Sequence, residues 1–207
     1  MKSKEWCEKR LDWESLPEHP IELFRDWHAA ASETESWNAV AMLLSTCGAS
    51  GSPSARIVLM RGFDDKGLRF FTNYESRKGR DLAKNPHFAS TFWWPTQIRQ
   101  VRFEGVAERL PRDQSEAYFA GRPRGSQLGA WSSSQSQSIS GIQALQDKYE
   151  SVEKEFEGRE VPCPPFWGGY LLKPHIVEFW QGGKDRLHDR VLFTWKKDVW
   201  LRNRLSP

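Results

Sequence analysis

The 207-residue chain is short of sulfur, of excess charge and of long apolar runs. Its three cysteines, Cys7, Cys47 and Cys163, stand far apart and form no CxxC pair. Such a set supplies neither a disulfide framework nor a zinc site, and it suits a reducing compartment. No apolar stretch approaches the roughly 20 residues that cross a bilayer. The beginning, Met1-Lys2-Ser3-Lys4-Glu5-Trp6, is charged and lacks the apolar centre of a secretory signal. Lys and Arg outnumber Asp and Glu by only 30 to 27. A net charge of +3 is too small to imply nucleic-acid or membrane binding by itself. HExxH, GxSxG and P-loop patterns are missing, and no GxGxxG follows a strand, so metal-hydrolase and dinucleotide-fold readings lack support and no metal is expected. These absences predict a cytoplasmic protein.

Aromatic side chains are plentiful: eleven Trp and twelve Phe suggest a flat-ligand site or a large subunit interface. The length suits one domain, here residues 20–207, behind a polar and loosely attached arm, residues 1–19. Pro20 opens a helix with Ile21, Phe24, Trp27 and Ala31 at helical spacing. Strands are predicted over 37–46, 54–61 and 68–73, joined by short turns as an antiparallel meander. Further strands follow at 87–94 and 97–110, the latter alternating Val101, Phe103, Gly105 and Ala107 against Gln100, Arg102, Glu104 and Val106. A helix runs from Pro111 to Ala120 and another from about Gly141 to Glu157. Strands at 167–173 and 175–181, then a hairpin over 190–205, bring the count to about eight. Short strands at regular spacing with peripheral helices point to a mainly β, antiparallel barrel.

Three stretches carry candidate chemistry. Ser76 can cap a helix whose first residues are Arg77 and Lys78. Cations there oppose the helix dipole unless an anion compensates, which favours a phosphate site over a solvated basic turn. Arg122 and Ser126, with Tyr118 one helical turn upstream, suit a second anion site. Near the end, Trp180-Gln181-Gly182-Gly183 leads into Arg186-Leu187-His188-Asp189-Arg190. Strand alternation would put Arg186, His188 and Arg190 on one face, as a receptor for a flat anion or simply as a solvated basic face. The Ser/Gln run from Ser132 to Ser140 reads either as a flexible linker or as a polar ligand loop.

Arg56-Ile57-Val58-Leu59 with Arg61, Phe71-Thr72-Asn73, Ser76-Arg77-Lys78-Gly79, Arg99-Gln100-Val101 and Tyr118-Phe119 form one part of a longer collinear series. It continues with Arg122-Pro123, Ser126 to Trp131, Gln135-Ser136, Trp167-Gly168-Gly169, and Glu178 to Arg190. Each motif is weak alone, but together, in this order from about Pro17 to the C-terminus, they resemble the pyridoxine/pyridoxamine 5′-phosphate oxidase family. That resemblance implies an FMN-binding split β-barrel, a homodimer with each flavin at the subunit interface. It implies oxidation of pyridoxamine or pyridoxine 5′-phosphate to pyridoxal 5′-phosphate, with O2 as acceptor, yielding hydrogen peroxide and, from the amine, ammonia.

The resemblance also assigns roles. Arg56, Arg77, Lys78 and Ser136 would hold the flavin phosphate. Ile57, Val58, Leu59, Arg61, Phe71 and Thr72 would line the flavin, and Gln100, Gln135, Trp180 and Arg190 would complete its site, some from the second subunit. Arg61, Tyr118, Arg122 and Ser126 would clamp the substrate phosphate, with Arg186, Leu187 and His188 over its pyridine ring and Arg186 and His188 as the catalytic pair. Two anchored phosphates would then stack the rings for hydride transfer. Whether His188 takes a proton or contacts a phenolate stays open. Arg61 stands where the family usually has lysine, and Ser3 and Trp6 where its arm usually supplies arginine and tyrosine. The alternatives are a phenazine-type oxidase on the same barrel, a non-catalytic flavin- or vitamer-binding protein, and a nucleic-acid-binding barrel, which the modest charge disfavours.

Overall fold

The computed structural model describes residues 10–207, so the expectations for Ser3, Trp6 and Cys7 fall outside the described residues. Helix α1 (Pro20–Thr34) starts where His19 Nδ1 accepts the Ile21 N–H at 3.2 Å and Pro20 supplies a preset φ. A 3-10 turn (Ser36–Val40) follows, and strand β1 begins only at Ala41, four residues later than the apolar run suggests. The remaining elements are β2 (Pro53–Leu59), β3 (Phe63–Asp64), β4 (Gly67–Asn73), α2 (Arg77–Lys84), β5 (His87–Trp94) and β6 (Arg99–Arg109). After them come α3 (Arg112–Ala120), α4 (Arg124–Ser132), α5 (Ile142–Glu155), β7 (Trp167–Gln181), β8 (Asp189–Lys196) and β9 (Val199–Arg204).

Among the described residues the strands form one nine-stranded antiparallel sheet, with β2-β1-β5-β6-β7-β4-β3 in order and β8 and β9 branching from β7. The expected meander of the first three strands is not formed. β1 lies between β2 and β5, and β4 crosses over to pair with β7. The two strands expected either side of Pro174 are one long strand, β7, whose halves have different outer partners. Leu172 and the residues before it pair with β4, whereas Ile176 to Gln181 pair with β8. Pro174 offers no N–H to a ladder, and the register with β6 slips between Glu104 and Gly105 opposite it. Gly105 is obligatory there, since a Cβ would lie 2.0 Å from the Lys173 carbonyl oxygen. The sheet therefore splits at this point.

The split sheet curls around α1. Val101 and Phe103, the apolar face expected for β6, join Phe70, Phe92, Trp94, Val177, Phe179 and Phe193 in one core with Ile21, Phe24 and Trp27. Phe24 is the centre, fully buried, with ring centroids of Phe63 and Phe103 at 5.0 Å and Phe92 at 5.2 Å. A second, smaller core joins Phe119, Leu128, Val152, Phe156 and Trp167 beneath α3, α4 and α5. Ser126 of the expected second anion site lies on a helix, α4, that the sequence did not predict, and Arg124 at its start is spent on the Phe156 and Arg159 carbonyls at 2.7 and 2.9 Å. Nor are residues 10–19 loose. Leu16 is buried, Leu11 and Trp13 pack on the core, and Arg202 and Arg204 lie over the Trp13 ring. Apolar residues at 11, 13 and 16 in a polar segment anchor it.

Phe24→Ala should lower unfolding stability by about 3–5 kcal/mol, the usual range for deleting a buried aromatic. Urea denaturation checks this, and a loss below 1 kcal/mol would show that α1 is not the centre of the core.

Candidate functional site

Two groups of the expected residues assemble, on different parts of the fold. The first centres on α2. The Ser76 hydroxyl donates to Asn73 O at 2.7 Å and accepts the Gly79 N–H at 3.3 Å, which fixes the first helical turn. Lys78 is thereby turned inward. It is only 9 % exposed, and Nζ donates to Gln135 Oε1 (3.0 Å), Thr72 Oγ1 (3.1 Å) and Ser76 Oγ (3.4 Å). All three acceptors are neutral. Burial, and secondly the charge of Arg56, push its pKa down to about 8. Arg56 is held by Thr46 Oγ1 and Ser54 Oγ, each at 2.8 Å, while Asp81 stands 4.0 Å away. Burial lowers the Arg56 pKa as well, with Asp81 opposing the shift and Arg77 adding to it. Arg77 itself is exposed at the start of α2, close enough to add positive potential.

A cavity of about 280 Å³ opens over these cations. Its walls are Arg56, Ile57, Val58, Leu59 and Arg61 from β2 and its end, Phe71 and Thr72 from β4, Lys78, and Gln135. Tyr118, Arg122 and Trp167 close the far side. Arg61, Tyr118 and Arg122 also line an adjoining cavity of about 580 Å³ together with Ser126. Ser136, at φ 69°, lies in a neighbouring recess with Gln135 and Lys148 rather than over the cations. Phe71, Tyr118 and Trp167 form an aromatic wall, nearly parallel, with Phe71 and Tyr118 only 3.8 Å apart. Arg122 lies 4.7 Å over Trp167, and its buried Nη1 has no hydrogen-bond partner. Burial lowers its pKa, Tyr118 raises it and Arg61 lowers it further. Four cations, Arg56, Arg61, Lys78 and Arg122, the last with an orphaned buried N–H, facing an aromatic wall suit a phosphorylated aromatic ligand. Trp167 is a site residue that the role assignments missed. Its signal was the glycine pair after it, because a Cβ on Gly169 would lie 2.8 Å from the Phe71 ring.

The second group lies on the outer face of the sheet. Trp93, Gln100, Trp180 and Arg190 stand in one row across β5, β6, β7 and β8. Arg190 is paired with buried Glu178, its Nε donating at 2.8 Å. The Trp180 ring lies 4.5 Å from that of His188. Arg186 does not share a strand face with His188 and Arg190. Lys184–Arg186 is a 3-10 turn with Asp185 and Arg186 at positive φ, and β8 starts only at Asp189. The Gly-Gly start and the following charges break the alternation. Leu187 is 58 % exposed. From β2 to β7 is four strand spacings in the sheet order, and the cavity that residues 57–59 line includes none of Gln100, Trp180 and Arg190. A cavity of about 930 Å³ between α4 and the end of α5 holds none of the expected site residues and mixes charges of both signs. Among the described residues no His/Cys/Asp/Glu group could hold a metal, and no helix is long and apolar enough to cross a membrane.

Known proteins share this sequence pattern and fold. Residues 31–155 match the family model described as pyridoxamine 5′-phosphate oxidase. Residues 167–207 match the pyridoxine 5′-phosphate oxidase C-terminal dimerisation region. The chain is 45 % identical over 204 residues to a pyridoxine/pyridoxamine 5′-phosphate oxidase of Cyanothece sp., covering 99 % of this chain and 96 % of that one. It is 47 % identical over 188 residues to that of Leptospira biflexa, covering 91 % and 89 %. PhzG from Burkholderia lata, solved with tetrahydrophenazine-1-carboxylic acid, superposes with a TM-score of 0.90 at 28 % identity, covering 97 % of this chain and all of that one. A pyridoxamine 5′-phosphate oxidase-related, FMN-binding protein from Nostoc punctiforme shares the fold alone, with a TM-score of 0.73 at 16 % identity over 93 % and 99 %. Matches along nearly its whole length, on a split antiparallel barrel with a C-terminal dimerisation region, make this chain a member of the pyridoxine/pyridoxamine 5′-phosphate oxidase family.

Proposed function

We propose that the protein is an FMN-dependent oxidase that converts pyridoxamine 5′-phosphate and pyridoxine 5′-phosphate to pyridoxal 5′-phosphate. Dioxygen is the acceptor, the products include hydrogen peroxide and, from the amine, ammonia, and the working form is a cytoplasmic homodimer with the flavin between subunits. One observation carries the reading: two cation-lined cavities share Arg61, Tyr118 and Arg122, so two phosphorylated rings can be held side by side. FMN supplies the hydride acceptor.

The residues fit that cofactor. Lys78 is a buried cation with only neutral partners and a second cation beside it, an arrangement that a phosphate dianion would compensate. Arg56 and Arg77 would add to its hold, with Gln135 and Thr72 beside them. Arg122, with its unpartnered Nη1, would take the substrate phosphate with Arg61, Tyr118 and Ser126. Ser136 lies in the recess beside this cavity, and a contact from it to the flavin phosphate would need only that loop to turn. Trp180, Gln100 and Arg190, roughly four strands from Ile57, would serve the same flavin only from the partner subunit. The outer sheet face that bears them also exposes Ile57, Leu43, Trp93 and Leu201, apolar side chains that a partner would cover. His188 Nδ1 accepts the Gly183 N–H at 3.1 Å, so in the neutral ring Nε2 carries the proton and can donate it to a phenolate oxygen of the substrate. Arg186 and Leu187 complete that side of the pyridine ring. Retention of Tyr118, Arg122 and Ser126 in one cavity favours a phosphorylated substrate over a phenazine.

The deciding experiment is anaerobic. Flavin absorbance should bleach when the FMN-loaded protein meets pyridoxamine or pyridoxine 5′-phosphate, and return with oxygen, leaving pyridoxal 5′-phosphate; a flavin that stays oxidised with both leaves a binding protein. Arg122→Gln should raise KM for pyridoxamine 5′-phosphate about tenfold to a hundredfold, with a smaller change in kcat, as expected for a lost charged hydrogen bond. An unchanged KM would remove Arg122 from the clamp. Free Lys78 releases its proton as pH rises through about 8, whereas a bound phosphate keeps it charged. FMN affinity should therefore fall as pH rises above 8, by up to about tenfold per unit, while Lys78→Met binds more weakly and with a flat profile there; parallel profiles would contradict the assignment.

A further inference from the structure

The loop from β7 to β8 carries Arg186, Leu187 and His188 on a strained backbone. Asp185 and Arg186 have φ of 53° and 63°, left-handed values that non-glycine residues hold only where the surroundings over-determine them. The surroundings here are two buried polar side chains, Gln181 and Asp189, which face each other as the cross-strand pair at the base of the loop.

Gln181, 2 % exposed, locks the first end. Its Nε2 donates to Gln97 O (3.1 Å) and Ile98 O (3.3 Å), and its Oε1 accepts from Arg99 Nε at 2.7 Å. Ile98, itself at φ 52°, also accepts the Gly182 N–H at 2.8 Å. The β5–β6 turn is thus fastened to the first residues of the loop. Asp189, 4 % exposed, locks the second end, accepting the Leu11 N–H on Oδ2 at 2.7 Å and Arg204 on Oδ1. Between the anchors Gly183 has no room for a side chain, since a Cβ would lie 2.1 Å from Leu187 O, and its N–H reaches His188 Nδ1. A backbone amide cannot accept, so this contact selects the tautomer with the proton on Nε2.

The geometry points to Gln181 and Asp189 as positioning residues for the reaction: they line neither cavity, yet they hold the turn that sets the tautomer of His188 and the aim of Arg186. The inference rests on the oxidase reading for its kinetic consequence, but not for its structural one. Removing either anchor lets the strained residues relax, the Gly183–His188 contact opens, and both tautomers populate. Misplacement of this kind acts on the chemical step more than on binding.

The test uses the FMN-loaded protein with Gln181→Glu and Asp189→Asn, near-isosteric changes that remove the donor to two carbonyls or the charge facing Arg204. Turnover per bound flavin should fall about tenfold or more, with KM within threefold. The 15N signals of His188 at alkaline pH should lose the dominance of the Nε2–H form. Normal turnover per flavin with the native tautomer pattern would overturn the proposal, as would a variant that merely sheds flavin while each loaded site works normally. If Gln181→Glu does not fold, Asp189→Asn, which changes only the charge facing Arg204 and the Leu11 N–H, carries the same readouts alone. A wild-type chain inactive on both vitamers would sink the oxidase reading, whereas the tautomer measurement needs no substrate and still decides the clamp.

Discussion

The architecture depends on one strand having two outer partners. β7 pairs with β6 from Tyr170 to Gln181, while its other edge changes partner from β4 to β8 on either side of the proline in its middle. The first half, through Trp167, Gly168 and Gly169, reaches the aromatic wall under α3 and α4. The second half, through Trp180 and Gln181, carries the loop of Arg186 and His188. One strand therefore spans both candidate ligand regions, and the slip at Gly105 opposite Pro174 is the local geometry that permits it.

Electrostatics gives the site its direction. Burial, with the charge of Arg56 second, holds Lys78 at about 8, well below its ordinary 10.5, which weakens the folded, charged state. Arg56 and Arg122 are likewise lowered by burial. A fold that places three such cations around two joined cavities carries an electrostatic cost, which an anion bound there would offset. The large hydrophobic core around Phe24 makes that cost tolerable.

Periodicity made much of the fold legible. The alternation in β6, the helical stripe of α1 and the Ser76 cap of α2 are local patterns, and each element forms where its pattern lies. Strand order was not legible, because nothing in the 68–73 segment says that its partner is 100 residues away in β7 rather than β2 next door. The 124–132 helix was hidden by two glycines and serines that read as a loop, and the grip of residues 10–16 was hidden by their polar neighbours.

The candidate site divides the same way. The identity of its cations, aromatics and glycines, and the resemblance they carry, come from the sequence alone, since residue chemistry and collinear spacing survive without a fold. Tertiary structure decided which of them meet. It gathered Arg56, Lys78 and Gln135 from segments up to 79 residues apart, set Trp180 and Arg190 several strands away from Ile57 in the sheet order, and bent Arg186 off the strand that alternation would have drawn. Those outcomes follow from long-range strand pairing and from backbone strain held by buried partners, and neither is written in any local stretch of the chain.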